Sequence, residues 1–362
     1  MNVPTPVRES NGVWLVAERE ITAKLRSKAF LISTGILLVI ALAGVLFGGF
    51  ASSNPEATPI AATADTAPVV SALPDVAVTE VADRAAAEDL VRAGDVDAAV
   101  VASDSPIGYT VIALDSPPQS IVMSLSQLPE VVILEPAGTD PLLRYFIAIG
   151  FGIVFMMAAS IFGGTIAQSV VEEKQTRVVE LLISAIPARA LLAGKVIGNT
   201  VLAMGQILAL SAVAIVGLMI TGQNETLQVL GGPIVWFAVF FLFGFVLLAS
   251  MFAAAAAMVS RQEDVGSTTM PITMLVMAPY VLVIVFNDNP VVLSVLSYVP
   301  FSAPVGMPMR LFVGEAQWWE PLLSLVILLI SCVIAIRIGA KIYENSLLRM
   351  GGRVKLAEAL RG

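Results

Sequence analysis

Histidine is absent from this 362-residue chain and cysteine occurs once, as Cys332. A lone thiol builds no disulfide framework, and without imidazoles or a second thiol no such cluster exists to bind zinc or an iron–sulfur centre. The same gaps remove the His-Glu-x-x-His arrangement of zinc proteases. With no Gly-x-Ser-x-Gly elbow and no aspartate in an apolar run, intramembrane proteolysis has no machinery here. Charge is scarce as well: Asp, Glu, Lys and Arg make up 13% of the residues, about half the usage of soluble domains. There is no Gly-x-x-x-x-Gly-Lys-Ser/Thr loop. The nearest string, Ala193-Gly194-Lys195-Val196, lacks the leading glycine and the hydroxyl that would hold magnesium, so the chain does not hydrolyse ATP by itself.

What the chain has is apolar length. Hydrophobic residues make up 57% and the mean hydropathy is +0.88. Runs free of Asp, Glu, Lys and Arg cover Ala29–Pro55, Tyr145–Val171, Val196–Asn224, Thr226–Ser260, Val265–Asn287 and Pro321–Ile336. Each holds a spanning helix of about 20 residues, the last by continuing past Arg337, whose long stem snorkels. An α-helical membrane protein with six transmembrane helices is expected, its first run a true anchor and not a cleaved leader. Ion-coupled transporters place titratable groups inside their spans; these runs carry none, which disfavours self-contained proton coupling.

The charges that do occur are segregated. Between Ala51 and Leu143 the only basic residues are Arg84 and Arg92, among many acids, whereas Arg8, Arg19, Lys24, Arg26 and Lys28 precede the first run. Lys174, Arg177, Arg189 and Lys195 follow the second, and Arg337, Lys341, Arg349, Arg353, Lys355 and Arg361 end the chain. The positive-inside rule puts both termini and the loop after the second span in the cytoplasm. The layout is then an amphipathic cytoplasmic helix at 1–29 with an apolar stripe Trp14, Ala17, Ile21 and Leu25, and the first span at 30–50. An extracytoplasmic tether and α/β domain fill 51–143, spans two to six fill 144–342, and a cytoplasmic tail fills 343–362. Within 51–143 a flexible Ala/Thr/Pro tether covers Ser52–Pro68. Thr79–Ala93 reads as a helix capped by Gly94, Ala98–Val101, Tyr109–Leu114 and Val131–Leu134 as strands, and Gln119–Gln127 as a helix.

Three groups of residues stand out. From Glu172 to Pro187 a short two-faced helix is expected, with Val178, Leu181, Leu182 and Ala185 at i, i+3, i+4 and i+7 and Glu172, Glu173, Lys174, Arg177 and Glu180 elsewhere. Glu173 and Arg177 have the spacing of a helical ion pair, and Pro187 ends the segment. It is either an interfacial helix on the headgroups or a lever that carries motion from a soluble partner into the spans. Second, Gln168, Asn199, Gln206 and Ser211 are polar groups within apolar runs, serving helix-to-helix hydrogen bonds or a pathway; Gly194 and Gly198 have the spacing of close helix approach. Third, the segment 288–319 is too apolar for a solvated loop, while Pro300, Pro304 and Pro308 forbid one straight helix. It reads as a re-entrant hairpin with Pro300, Phe301, Pro304 and Pro308 at an outer gate, or as an interfacial loop anchored by aromatics.

Together these residues resemble a known family. Glu172-Glu173-Lys174, Glu180-Leu181-Leu182, Pro187 and Gly194-Lys195 are similar to the cytoplasmic loop of the type-two ATP-binding-cassette exporter permeases. The start from Arg19-Glu20 through Lys28-Ala29-Phe30, the outer string Pro300 to Arg310 and the tail Leu347 to Gly351 resemble its sodium-efflux, NatB-like branch. The resemblance implies a permease in the plasma membrane of a prokaryote, working as a homodimer or with a paired permease. It implies a separate ATPase subunit that carries ATP and magnesium, so that this chain needs no cofactor or metal of its own. Glu172, Glu173, Lys174, Arg177, Glu180, Leu181, Leu182 and Pro187 then form the coupling helix, and no nucleic acid is expected among the partners. Sodium specificity does not carry over, because no span holds a carboxylate for the ion. The alternative is a membrane-anchored sensor or scaffold whose outer domain binds a ligand.

Overall fold

The computed structural model describes residues 9–53, 57–73, 76–103, 108–114, 125, 141–176, 178–347, 349 and 354–361. In chain order its elements are α1 (Glu9–Leu25), α2 (Lys28–Ser53), β1 (Thr58–Thr63), α3 (Ala67–Ser71), β2 (Val76–Val81), α4 (Arg84–Ala93), β3 (Ala98–Ala102) and β4 (Tyr109–Ile112). They continue with α5 (Pro141–Gln175), α6 (Val178–Ala185), α7 (Ala188–Ile220), α8 (Asn224–Ala257), α9 (Val265–Val285), α10 (Pro290–Tyr298), α11 (Ala303–Val313), α12 (Glu320–Leu347) and α13 (Leu356–Arg361). The chain divides into two compact units, residues 1–46 with 137–362, and residues 47–136.

In the larger unit, helices α2, α5, α7, α8, α9 and α12 are long and apolar enough to cross a membrane, six among the described residues. This is a multi-pass membrane protein. Central to the unit is α8, which packs against α5, α7, α11 and α12. A column of aromatic rings runs between α5 and α8: Phe151 stacks on Phe237 at 4.8 Å, Phe155 meets Phe241 edge-on at 5.9 Å, and Phe162 meets Phe245 edge-on at 6.1 Å. Pro233 in α8 and Pro271 and Pro279 in α9 lie inside helices, as neighbouring helices in a membrane allow.

The segment after α9 turns back on itself, as the hairpin expectation has it. It is a helical hairpin, α10 and α11, with Pro300 in the turn, Pro304 in the first turn of α11 and Pro308 inside it. Proline fits a first helical turn, where its missing N–H is not needed, and the turn at Pro300 splits the segment so that the three prolines never share one straight helix. The hairpin closes tightly because Gly306 abuts the Leu296 backbone, where a methyl would come within 3.1 Å. Phe301 is half-buried between the two helices, and Arg310 of α11 pairs with Glu320 of α12 at 2.9 Å.

The smaller unit is an α/β sheet of order β2-β1-β3-β4, with β2 and β3 parallel to β1 and β4 antiparallel to β3. Strand alternation sends Ile60 and Ala62 into a core with Val70 of α3, and Ala61 into a core with Ala87 and Val91 of α4. Two expectations fail here. The supposed tether contains the central strand β1, hidden by its alanine-rich composition, and the supposed helix Thr79–Ala93 begins as strand β2 before α4. The cap at Gly94 is as expected, left-handed at φ 78°. The expected strand Val131–Leu134 lies outside the described residues, as does the helix Gln119–Gln127 except for Leu125.

Candidate functional site

The most highly charged junction lies where α1, α5 and α7 meet. α1 docks along α7 through the two glycines four residues apart: a methyl at Gly194 would come within 2.5 Å of Val16 Cβ, and one at Gly198 within 2.9 Å of Glu20 Cβ. Small residues at this spacing let the backbones approach. The face of α1 turned inward is therefore Val16, Ala17 and Glu20, while Trp14 is 61% exposed and Leu25 50% exposed. Of the apolar stripe expected from periodicity, Ala17 is buried and Ile21 packs against the core, while Trp14 and Leu25 stay exposed and the Glu20 carboxylate joins the inward face.

That carboxylate accepts a hydrogen bond from Lys195 Nζ at 2.9 Å and one from Arg19 Nη2 at 3.1 Å. Lys195, fully buried inside α7, also reaches Glu173 Oε1 of α5 at 3.0 Å and donates to Ser169 Oγ. Arg19 completes the ring by pairing with Glu173. Two acids and two bases are thus shared among three helices. Burial pushes the Glu20 carboxyl up, but Lys195 and Arg19 outweigh it and hold the group below the ordinary carboxylate range. Burial likewise lowers Arg19, and Glu173 with Glu20 more than offsets it, so the guanidinium stays charged. Removing one partner of such a buried set leaves an uncompensated charge, which costs about 3–5 kcal/mol.

Next in sequence, Lys174 faces the other way. It is fully buried and donates to Ala257 O, in the last residue of α8, at 2.8 Å and to Ser346 O, in the last turn of α12, at 2.9 Å. The final carbonyls of a helix lack intrahelical donors and form the negative end of its dipole, so an ammonium is a fitting cap for both.

After Gln175 the helix breaks, which corrects the single helix expected over Glu172–Pro187. The Thr176 hydroxyl donates to Glu172 O at 2.8 Å, satisfying a terminal carbonyl where α5 stops. Glu172, Glu173 and Lys174 therefore belong to the end of α5. Glu173 and Lys174 grip the chain's own helices, Glu173 pairing with Arg19 and Lys195; its expected partner Arg177 lies outside the described residues. The separate helix α6 buries Val179 and half-buries Leu182, whereas Leu181 is 74% exposed, with Val178, Glu180 and Ala185 exposed beside it and Pro187 exposed after it. Arg189, at the start of α7, pairs with Glu344 of α12.

The polar residues read from the apolar runs do not gather into one lining. Gln168 is exposed, Asn199 and Gln206 are buried and Ser211 is half-buried. Asn199 donates to Lys195 O one turn back at 3.0 Å, serving its own helix. Sequence reasoning missed Glu20 and Lys195 as partners. The available signal was a lysine set inside the Gly194–Gly198 spacing, where close approach forces a charge to find a neighbour. Among the described residues, no group of three or more acidic or cysteine side chains is placed to hold a metal ion.

A family model described as ABC-2 family transporter protein matches residues 28–341. The chain is 28% identical over 231 residues to an uncharacterized protein of Bacillus subtilis, YhaP, covering 60% of this chain and 55% of that one. It is 28% identical over 217 residues to an uncharacterized protein of Methanocaldococcus jannaschii, covering 58% and 53%. The matched region spans about half the length of these curated relatives. No solved structure matches the chain. With the family match running from the first long apolar helix almost to the end of the last, the chain belongs to the ABC-2 family of transporter proteins.

Proposed function

We propose that this chain is the membrane-spanning permease subunit of an ATP-driven exporter, fuelled by a separate ATP-binding-cassette ATPase that docks on α6. The observation that carries this reading is α6 itself. It is a short helix with a bare leucine on its exposed face, mounted after a charge-locked helix end. A leucine kept 74% exposed among charged residues outside the apolar runs fits a partner's groove better than it fits water. The middle of α1 and the ends of α5, α8 and α12 gather around the same junction, and basic residues cluster there, which supports placing this end in the cytoplasm. The 47–136 unit then stands outside the cell, and the α10–α11 hairpin serves as an outer closure.

In this reading two copies, or this chain and a second permease, share two ATPases, which hold the ATP and magnesium. ATP binding draws the ATPases together, moves α6, and shifts the spans between two packings. Placement in the sodium-efflux branch rests on the sequence strings alone. Sodium is therefore the first cargo to test, before amphiphiles, lipids and peptides; the buried carboxylates Glu20 and Glu173 are already occupied by cations of the chain.

The test is Leu181→Glu. At an exposed position the change alters the permease's own stability by no more than about 0.5 kcal/mol, but it puts a charge into a buried apolar contact and weakens ATPase binding by about thirtyfold or more. Affinity purification of the chain from native membranes, with and without the substitution, reads this directly. Recovery of no ATPase with the wild-type chain, or equal recovery with L181E, overturns the proposal, and recovery of a kinase or regulator instead would support a sensor.

A further inference from the structure

Glu173 and Lys174 are adjacent in sequence yet serve opposite sides of the bundle. The carboxylate holds α1 through Arg19 and α7 through Lys195, and the ammonium holds the ends of α8 and α12. One peptide unit thus ties the end of α5 to four other helices, immediately ahead of the break that leads into α6.

We infer that Glu173-Lys174 is a two-way linkage, in which Glu173 carries displacement of α6 to α1 and α7 while Lys174 carries it to α8 and α12. Lys174 is a positioning residue: it acts by holding two helix ends. Among the described residues its ammonium pairs with no carboxylate and is held by backbone carbonyls. A charge buried this way has no second low-energy position to relax into, so the carbonyls must follow it. The path onward is also built. Thirteen residues before Ala257, about 20 Å along α8 at 1.5 Å per residue, Gly244 abuts Pro304 of the hairpin, where a methyl would come within 2.4 Å. Gly339 of α12 abuts Ser250 O of α8 at a distance that would be 3.1 Å from a methyl. Helices locked this closely translate together. The tail adds to the same end, since Val354 N donates to Met258 O at 2.9 Å.

The purpose of the linkage rests on the proposed reading of α6, but its existence is tested without any ATPase. With the full chain in lipid nanodiscs, amide hydrogen exchange is followed by mass spectrometry in wild type, Lys174→Met and Glu173→Gln. Methionine fills the buried volume without donors. K174M is expected to speed exchange at residues 254–258 and 343–347 by about tenfold or more while α1 stays within about twofold. E173Q is expected to do the converse. Unchanged protection of both helix ends in K174M, or equal loosening of α1, overturns the linkage. If K174M does not accumulate, E173Q decides alone, because release of the α8 and α12 ends together with α1 contradicts the division.

In the complex purified with its ATPase, the second readout is the ATP-driven change in labelling of W318C, at the exposed Trp318 beyond the hairpin, per ATP hydrolysed. K174M is expected to lower that ratio at least about fivefold. A merely structural lysine would reduce labelling and hydrolysis together and leave the ratio where it was, which overturns the positioning role. If the exchange result holds but no ATPase ever accompanies the chain, the linkage stands and the reading of α6 falls.

Discussion

At the scale of single residues, most of the buried charges of the described residues lie at one junction, and Glu20 shows what that implies for pH. Its carboxyl is raised by burial and lowered further by Lys195 and Arg19, with a net shift downward. In the undocked chain the group takes up a proton at the ordinary carboxylate range, while in the docked state it does so only at lower pH. The docking of α1 is therefore fully supported above the ordinary range and lost as pH falls through the depressed value. Glu173, Ser169, Arg19 and Lys195 are the groups that face it. A fluorophore at exposed Ala23 (A23C) should keep a constant anisotropy from neutral pH down to the ordinary carboxylate range and lose it below. In E20Q the step should vanish. A step of the same size in E20Q would mean that another group governs α1.

Among elements, α1 on α7 is the contact most exposed to a small change. In G194A the new methyl meets Val16 Cβ at 2.5 Å and Val13 O at 2.8 Å; the second is backbone, so α1 itself must shift. Overpacking of this kind costs about 1–3 kcal/mol, and trypsin should cut at Arg19 and Lys24 several times faster than in wild type. Unaltered digestion would show that α1 is held elsewhere. The long helices were legible in the sequence because lipid imposes a length and a composition that no other element shares. The glycine spacing was legible too, although its partner was not. What escaped was set by tertiary partners. β1 is alanine-rich and reads as linker until its two parallel neighbours are in place. The inward face of α1 takes in the Glu20 carboxylate and leaves Trp14 and Leu25 outside. Lys174 looked like a surface charge because the helix ends that receive it, Ala257 and Ser346, lie far along the chain. The exposed face at Leu181 was predictable from the stripe, but the break at Thr176 was not, since the residues on both sides favour helix.

For the whole molecule, orientation is the first quantity to measure. Cysteines at two exposed positions, A85C on α4 and T176C at the α5–α6 break, should be labelled by an impermeant maleimide from opposite faces of intact cells and inverted vesicles; native Cys332 is buried and silent. Labelling of both from one face would reverse the placement of the 47–136 unit. A broader consequence follows from the phenylalanine column. Six rings interlock between α5 and α8, and unstacking them would cost about 0.5–1.5 kcal/mol per pair beyond the burial itself. Those two helices form a stiff mast with a filled middle. In the proposed exporter, a passenger would find no corridor between these two helices.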